Sequence, residues 1–167
     1  MQDSPTLILD AEDVRRKTER MAYEILEQHI DEKEIVFIGI YPNGSKLASS
    51  LVQFVKSLSE IRIKLLELKL NKDLPTTKEV KLNATTDEFK NKVVILVDDV
   101  ANSGRTLLYA MKPLLEVEIK KIQVAVLVDR KHKSFPVSPD FVGLSLSTSI
   151  QEHVTVNYEN GPVVYLS

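Results

Sequence analysis

The sequence predicts an α/β fold in which a central, mostly parallel sheet is flanked by helices. Apolar runs at 34–40, 92–97 and 122–128 are short and lack the alternation of a half-exposed strand, so they read as strands buried on both faces. Between them lie segments whose apolar residues recur every three or four positions, the spacing of a helix with one buried face. Strands that alternate with helices in this way point to parallel crossover units. A chain of 167 residues with 43% hydrophobic and 28% charged residues can bury one core and is not a disordered polymer, so one domain over 1–167 is expected.

In chain order, Val14, Met21, Ala22, Ile25 and Leu26 share a helical face, with Asp10 or Asp13 able to cap its start, which predicts a helix over 11–30. The run from Glu34 to Ile40 is the first strand, and Pro42-Asn43-Gly44 turns the chain. Leu47, Leu51, Val52, Phe54 and Val55 predict a helix over 45–58, and an extended strand over 61–70 completes a βαβ unit. Residues 71–91 are polar, and a loop of that length in a compact domain is usually functional or mobile; this is a candidate lid. The second half repeats the logic with a strand at 92–97, a helix over 106–117 and a strand at 122–128. Short strands are expected at 141–146, 153–157 and 162–166, the last two fitting equally a hairpin at the sheet edge.

Charge and composition narrow the function. With 22 Lys+Arg against 24 Asp+Glu, the net charge of −2 gives no overall field toward nucleic acid or anionic membrane, so a bound phosphate must meet a local site. The absence of cysteine excludes a disulfide framework and a thiolate zinc site, and His29, His132 and His153 are too scattered to suggest a metal cluster. The first residues lack the basic start and apolar run of a signal peptide, and no stretch approaches the roughly 20 apolar residues of a membrane span, so a cytoplasmic protein without a membrane partner is expected.

The chemistry concentrates in Val97-Asp98-Asp99-Val100-Ala101-Asn102-Ser103-Gly104-Arg105-Thr106. Two adjacent carboxylates sit where a buried parallel strand ends, the place where open α/β sheets bind ligands. Burying both without partners is costly, and a ligand with neighbouring hydroxyls would satisfy them through charge-assisted hydrogen bonds. Ala101 to Thr106 then supplies small residues, hydroxyls and a glycine ahead of a helix, an arrangement in which backbone N–H groups hold a phosphate. Diol and phosphate together describe ribose 5-phosphate. The bland reading is a strand end followed by a helix capped by Ser103 or Thr106.

The run resembles the 5-phosphoribosyl-1-pyrophosphate (PRPP) motif of the type I phosphoribosyltransferases: apolar strand, two acids, three variable residues, then Ser/Thr-Gly-x-Thr. More narrowly, the chain is similar to the bifunctional pyrimidine operon regulator/uracil phosphoribosyltransferase group. The similarity is carried by Leu7-Ile8-Leu9-Asp10 with Val14-Arg15-Arg16, by the PRPP run itself, and by Leu127-Val128-Asp129-Arg130 with His132 and Pro139-Asp140-Phe141-Val142-Gly143. The resemblance implies the fold of that family, with a mobile lid and a small hood from the C-terminal strands. It implies transfer of the phosphoribosyl group from PRPP to a nucleobase, uracil above all, by a cytoplasmic homodimer using Mg²⁺. It also implies Asp98 and Asp99 on the ribose hydroxyls, with Mg²⁺ carried by PRPP near Asp98, and Ala101, Asn102, Ser103, Gly104, Arg105 and Thr106 around the 5-phosphate. Asp129, Arg130, Phe141 and Val142 would form the base pocket, the Phe141 ring stacking on the base and the Val142 backbone bonding to it.

Other residues depart from the family. Gly39 to Lys46 nearly spells a nucleotide P-loop, but that motif needs Lys before Ser, and here Ser45 precedes Lys46. By resemblance Tyr41, Pro42, Asn43 and Gly44 form the pyrophosphate loop. The family usually has basic residues where Tyr41 and Asn43 stand, so Lys46, Lys72 or Lys78 would have to supply the charge. Purine-specific relatives commonly carry an acid where this chain has Asn102, and a lysine where it has Asp129; both departures point away from hypoxanthine and guanine. A hypoxanthine/guanine-type transferase remains an alternative, as does a weakly catalytic, nucleotide-sensing regulator of pyrimidine genes. Basic clusters at Arg15, Arg16, Lys17 and Arg20 and at Arg130 to Lys133 would carry messenger RNA in such a regulator, against which the isoelectric point near 6.0 argues.

Overall fold

The computed structural model describes residues 4–76 and 79–167. Strand β1 (Thr6–Leu9) leads into helix α1 (Ala11–Gln28). Its start is set by a reciprocal cap: the Asp13 N–H donates to the Asp10 carboxylate at 2.8 Å and the Asp10 N–H to the Asp13 carboxylate at 3.3 Å. Val14, Met21, Ala22 and Ile25 are buried as expected, joined by Thr18, whose hydroxyl donates to the Val14 carbonyl at 2.7 Å. There follow β2 (Glu34–Ile40), α2 (Asn43–Leu58), β3 (Arg62–Lys69) and β4 (Lys81–Leu82). The second half holds β5 (Val93–Ala101), α3 (Arg105–Ala110), β6 (Lys121–Asp129) and β7 (Phe141–Ser145), and the tail β8 (Val154–Asn157) and β9 (Val163–Leu166).

Strands β3, β2, β5, β6 and β7 run parallel in that spatial order, and β4 pairs antiparallel on the outside of β3. Alternation divides their side chains between two hydrophobic layers. Ile35, Phe37, Val93, Ile95 and Val97 pack with α1 and α2, whereas Val36, Ile38, Val94 and Leu96 pack with Leu107 and Ala110 of α3. The tail hairpin does not extend the main sheet. It forms a separate antiparallel sheet in the order β1-β9-β8, a hood whose Val156 and Val164 are buried in the layer of α1 and α2.

Three expectations change. Helix α2 begins at Asn43 rather than Ser45. The helix expected over 106–117 is α3 followed by a 3₁₀ turn, Lys112–Glu116, because Pro113 has no N–H to donate and its ring collides with a carbonyl four residues back in an α-helix. Residues 71–91 are not all loop. β4 pairs through Leu68↔Leu82 and Lys69↔Lys81, the Asn83 side chain accepts from the Glu67 N–H at 2.8 Å, and Phe89 is buried, so the latter half is fastened to the sheet edge. Thr77 and Lys78 lie outside the described residues.

Candidate active site

Strand β5 continues past Val97 to Ala101 because β6 extends beside it, and the Arg130 N–H closes the ladder on the Ala101 carbonyl at 3.0 Å. The acidic pair therefore stands at the C-terminal edge of the sheet, where β2 has already ended at Ile40. Asp98 is 2% exposed and Asp99 8%. The Asp98 carboxylate accepts from the Lys72 ammonium at 3.0 and 3.3 Å and from the Asp99 N–H at 2.9 Å. Asp99 accepts from the Asn43 amide and from the Val100 N–H, each at 2.9 Å. Burial pushes Asp98 up to about 7; Lys72 opposes this and the charge of Asp99 adds to it. A carboxylate this poorly solvated gains from any ligand that brings a cation or hydroxyl donors to it.

Glycine makes the close approach possible. A Cβ on Gly44 would lie 2.4 Å from the Val97 carbonyl oxygen and 3.0 Å from Asp98 Cα, and one on Gly39 would lie 2.5 Å from Ser45 Cα. Only with both side chains absent does the start of α2 lie against β2 and β5. The Asn43 amide then bridges Asp99 and, at 3.2 Å, the Val156 carbonyl of the hood. Tyr41, half exposed, has the Lys69 ammonium 4.4 Å from its ring centre, and Lys46 lies 5.3 Å from that of Tyr158. No basic side chain comes from Tyr41, Pro42, Asn43 or Gly44 itself.

After the acids, Val100 to Leu107 and Lys72 line a pocket of about 210 Å³. Gly104 stands at the head of α3 with φ +86, a left-handed conformation that glycine adopts without strain. Among the described residues no side chain caps the helix at Gly104, although the Ser103 hydroxyl accepts from the Arg105 N–H at 3.3 Å. The capped-helix reading is thus replaced by an uncapped turn facing a pocket with a lysine at its rim. The Ser103 carbonyl accepts from the N–H groups of Ser134 and Phe135, both at 3.0 Å, which seats the loop on the next connection.

The residues expected at the base separate. Asp129 accepts from the Lys133 ammonium at 2.7 Å, while Arg130 is buried and donates to Asn102, Thr148, Ser149 and Glu152, so the two do not pair with each other. Phe141 is 1% exposed within the layer under α1 and α2, which leaves no face of its ring open for stacking. The Val142 carbonyl accepts from Arg20 at 3.0 Å. The exposed apolar side chain in this quarter is one the sequence reading missed: Ile150, 88% exposed, lines a cavity of about 520 Å³ with Asn102, Ser103, Arg130 and His132. An isoleucine between polar neighbours in the connection from β7 to β8 carries no pattern that marks it in advance. Tyr158 is a second such residue. Its hydroxyl is buried with no hydrogen-bond partner among the described residues, and burial together with Asp99 and Asp98 holds the phenol well above its usual range, so it stays a neutral donor.

The basic cluster on α1 is largely paired: Arg15 with Glu12 at 2.9 Å and Glu19 at 3.1 Å, Arg16 with Glu12 at 3.0 Å, and Arg20 with Glu24 at 2.5 Å. Among the described residues no cluster of His, Asp or Glu could hold a metal alone. The two carboxylates at the strand end nevertheless suit Mg²⁺, which is typically held by one or two carboxylates plus substrate phosphates. A larger cavity of about 850 Å³, lined by Tyr23, Ile30, Leu58 and Ile61 among others, opens at the opposite end of the strands, away from the acids.

A model of the family described as the phosphoribosyl transferase domain matches residues 6–160. The chain is 37% identical to the bifunctional protein PyrR 1 of Lactiplantibacillus plantarum, over 91% of this chain and 89% of that protein. It is 38% identical to the bifunctional protein PyrR of Limosilactobacillus reuteri, over 91% and 90%. Among solved structures, a hypoxanthine-guanine phosphoribosyltransferase from Bacillus anthracis matches with a TM-score of 0.78 at 20% identity, over 97% of this chain and 98% of that one. The hypoxanthine phosphoribosyl transferase of Trypanosoma cruzi matches with a TM-score of 0.76 at 15% identity, over 97% and 91%. At such identities the two structures attest the fold, an α/β architecture with a parallel sheet between helices, and not the base. The domain match, the PyrR-like sequence and the acidic pair ahead of its small-residue loop agree: the chain belongs to the type I phosphoribosyltransferase family.

Proposed function

We propose that the protein transfers the 5-phosphoribosyl group of PRPP to uracil and releases pyrophosphate. The observation that carries this reading is the buried acidic pair running directly into the 101–106 pocket, a diol acceptor beside a phosphate cradle. In this reading Asp98 and Asp99 hold the ribose hydroxyls, and Ala101 to Thr106 hold the 5-phosphate. The bond from ribose C1 to pyrophosphate breaks as the bond to the base nitrogen forms, through an oxocarbenium-like state, and the proton that this nitrogen carried leaves with the pyrophosphate or to water. Asp98 and Asp99 would hold Mg²⁺ brought with PRPP, which would supply charge neutralisation for the leaving group. Lys72, which lies against both Asp98 and the phosphate pocket, brings a further positive charge. Closure of the segment that carries Lys72 would keep water from the activated sugar.

Uracil is favoured by the resemblance to the pyrimidine group, by Asn102, whose carboxamide cannot take a proton from a purine ring, and by Asp129, an anion where purine-specific relatives carry a lysine. Ile150 replaces Phe141 as the apolar surface offered to the base. The test is turnover of PRPP and Mg²⁺ with uracil, hypoxanthine, guanine, xanthine, adenine and orotate, where uracil should react fastest. A second reading, a regulator that senses nucleotide and turns over slowly, is favoured by the uncharged loop at Tyr41 to Gly44. Slow turnover with all six bases, together with nucleotide-dependent retention of pyrimidine-gene messenger RNA in a gel-shift assay, would select it. Homodimerisation, expected from the family, is checked by sedimentation.

A further inference from the structure

Arg130 is a buried arginine whose hydrogen-bond acceptors are all neutral. Nη1 donates to Asn102 Oδ1 at 3.0 Å, Nε and Nη2 to Thr148 Oγ1 at 2.9 and 2.8 Å, and Nη2 also to the carbonyls of Ser149 at 3.1 Å and Glu152 at 2.6 Å. Keeping a guanidinium out of water on neutral partners is expensive. Its contacts join two walls of one cavity, Asn102 from the loop after β5 and the 148–152 turn that displays Ile150. The turn is closed internally as well, by the Ser149 N–H donating to the Glu152 carboxylate at 2.5 Å.

The contact to Asn102 also decides which way that side chain faces. Arginine only donates, so the carboxamide must turn its oxygen to Arg130, which leaves the Nδ2 hydrogens on the other side of the group. We infer that Arg130 is a positioning residue for the nucleobase: it orients Asn102 to present an N–H donor and holds Ile150 as the apolar wall of the same cavity. The base selected is then one that meets Asn102 with a carbonyl acceptor, as a pyrimidine-dione does, while its ring lies on Ile150. This inference rests on the phosphoribosyltransferase reading and adds the means by which the base is chosen.

The two are separated by calorimetry with ribose 5-phosphate, which lacks the base, and with uridine 5-monophosphate (UMP), which carries it. Wild type should bind UMP more tightly than ribose 5-phosphate. Arg130→Lys, which keeps the charge but loses the planar fork, should weaken UMP by about tenfold or more and leave ribose 5-phosphate within about threefold. Ile150 is 88% exposed, so Ile150→Ser leaves the fold intact and keeps the question open to test if Arg130→Lys does not fold. It should likewise weaken UMP alone. Thio-substituted UMP, whose sulfur is a poorer acceptor, should bind wild type more weakly than UMP and lose that disadvantage in Arg130→Lys. Equal losses for the two ligands, or unchanged UMP affinity in both variants, would overturn the positioning role. A wild type that binds neither ligand would instead remove the phosphoribosyltransferase reading beneath it.

Discussion

Replacing Asp98 by Asn should stabilise the protein above neutral pH while destroying its ligand site. Asp98 has an ordinary value of 3.8 and is pushed up to about 7 in the folded chain, first by burial and then by Asp99, against the pull of Lys72. Between pH 3.8 and about 7 the native state holds a proton that the unfolded chain has released, so stability falls as pH rises through this window. Below it both states are protonated and the effect vanishes; above it the penalty is complete. A shift of about three units corresponds to about 4 kcal/mol as an upper bound, at about 1.4 kcal/mol per unit, and about 2 kcal/mol is a sensible expectation once the buried site relaxes. Asparagine does not titrate, so the stability of Asp98→Asn minus that of wild type should grow by about 2 kcal/mol between pH 4.5 and pH 8. That is about 4–8 °C in Tm for a chain of this size. Urea unfolding of both proteins across this range is the assay. The difference between the two curves is what is read, because it cancels every group the proteins share; the pull of Lys72, felt only while Asp98 is charged, is already contained in the shift. Parallel curves would refute the reasoning, since Asp98 would then titrate alike in the folded and unfolded chain. Sites that must capture a ligand are often less stable than they could be, and this carboxylate is where that trade should be largest.

Gly44→Ala places a methyl group 2.4 Å from the Val97 carbonyl oxygen, a clash with backbone that cannot swing away. It should cost about 2–3 kcal/mol by thermal unfolding and lower PRPP affinity by moving the start of α2 off the acids. Tyr41→Arg should raise kcat severalfold in a pyrophosphate-release assay by adding positive charge where the loop has none, with PRPP affinity changed less. Position 41 suits this better than 43, where the Asn43 amide already ties Asp99 to the hood; an unchanged kcat would show that the loop lacks nothing. In direct competition with PRPP and Mg²⁺, uracil should be consumed ahead of hypoxanthine, and the reverse order would mean that Asn102 and Asp129 had been misread.

The buried strands β2, β5 and β6 and both long helices were legible because burial on two faces leaves continuous apolar runs, and burial on one leaves a helical stripe. The acidic pair and the loop after it were legible for the same reason. They break the apolar run of β5 abruptly, and charge at a buried strand end stands out. What escaped depends on partners distant in the chain. Strand β1 is short and exists by pairing with β9 near the other terminus. The extension of β5 to Ala101 is supported by β6, and the short β4 by the edge of β3. The burial of Phe141 was not legible because an aromatic residue after Pro-Asp looks the same whether its ring lies in the core or on a ligand. On β7, the edge strand, Phe141 pairs with Ala125 and is buried in the layer of α1 and α2. The burial of Arg130 was not legible, because its four acceptor residues lie on two separate connections that no local pattern joins.

In the proposed function the acidic pair and the 101–106 loop form one PRPP site. Calorimetric titration of PRPP with Mg²⁺ into wild type and into the folded double variant Asp98→Asn, Asp99→Asn tests this most directly. Wild type should bind, and the double variant should show no measurable binding, because amides cannot supply the charge-assisted acceptors that the ribose diol needs. Equal affinity in the two proteins would contradict the assignment.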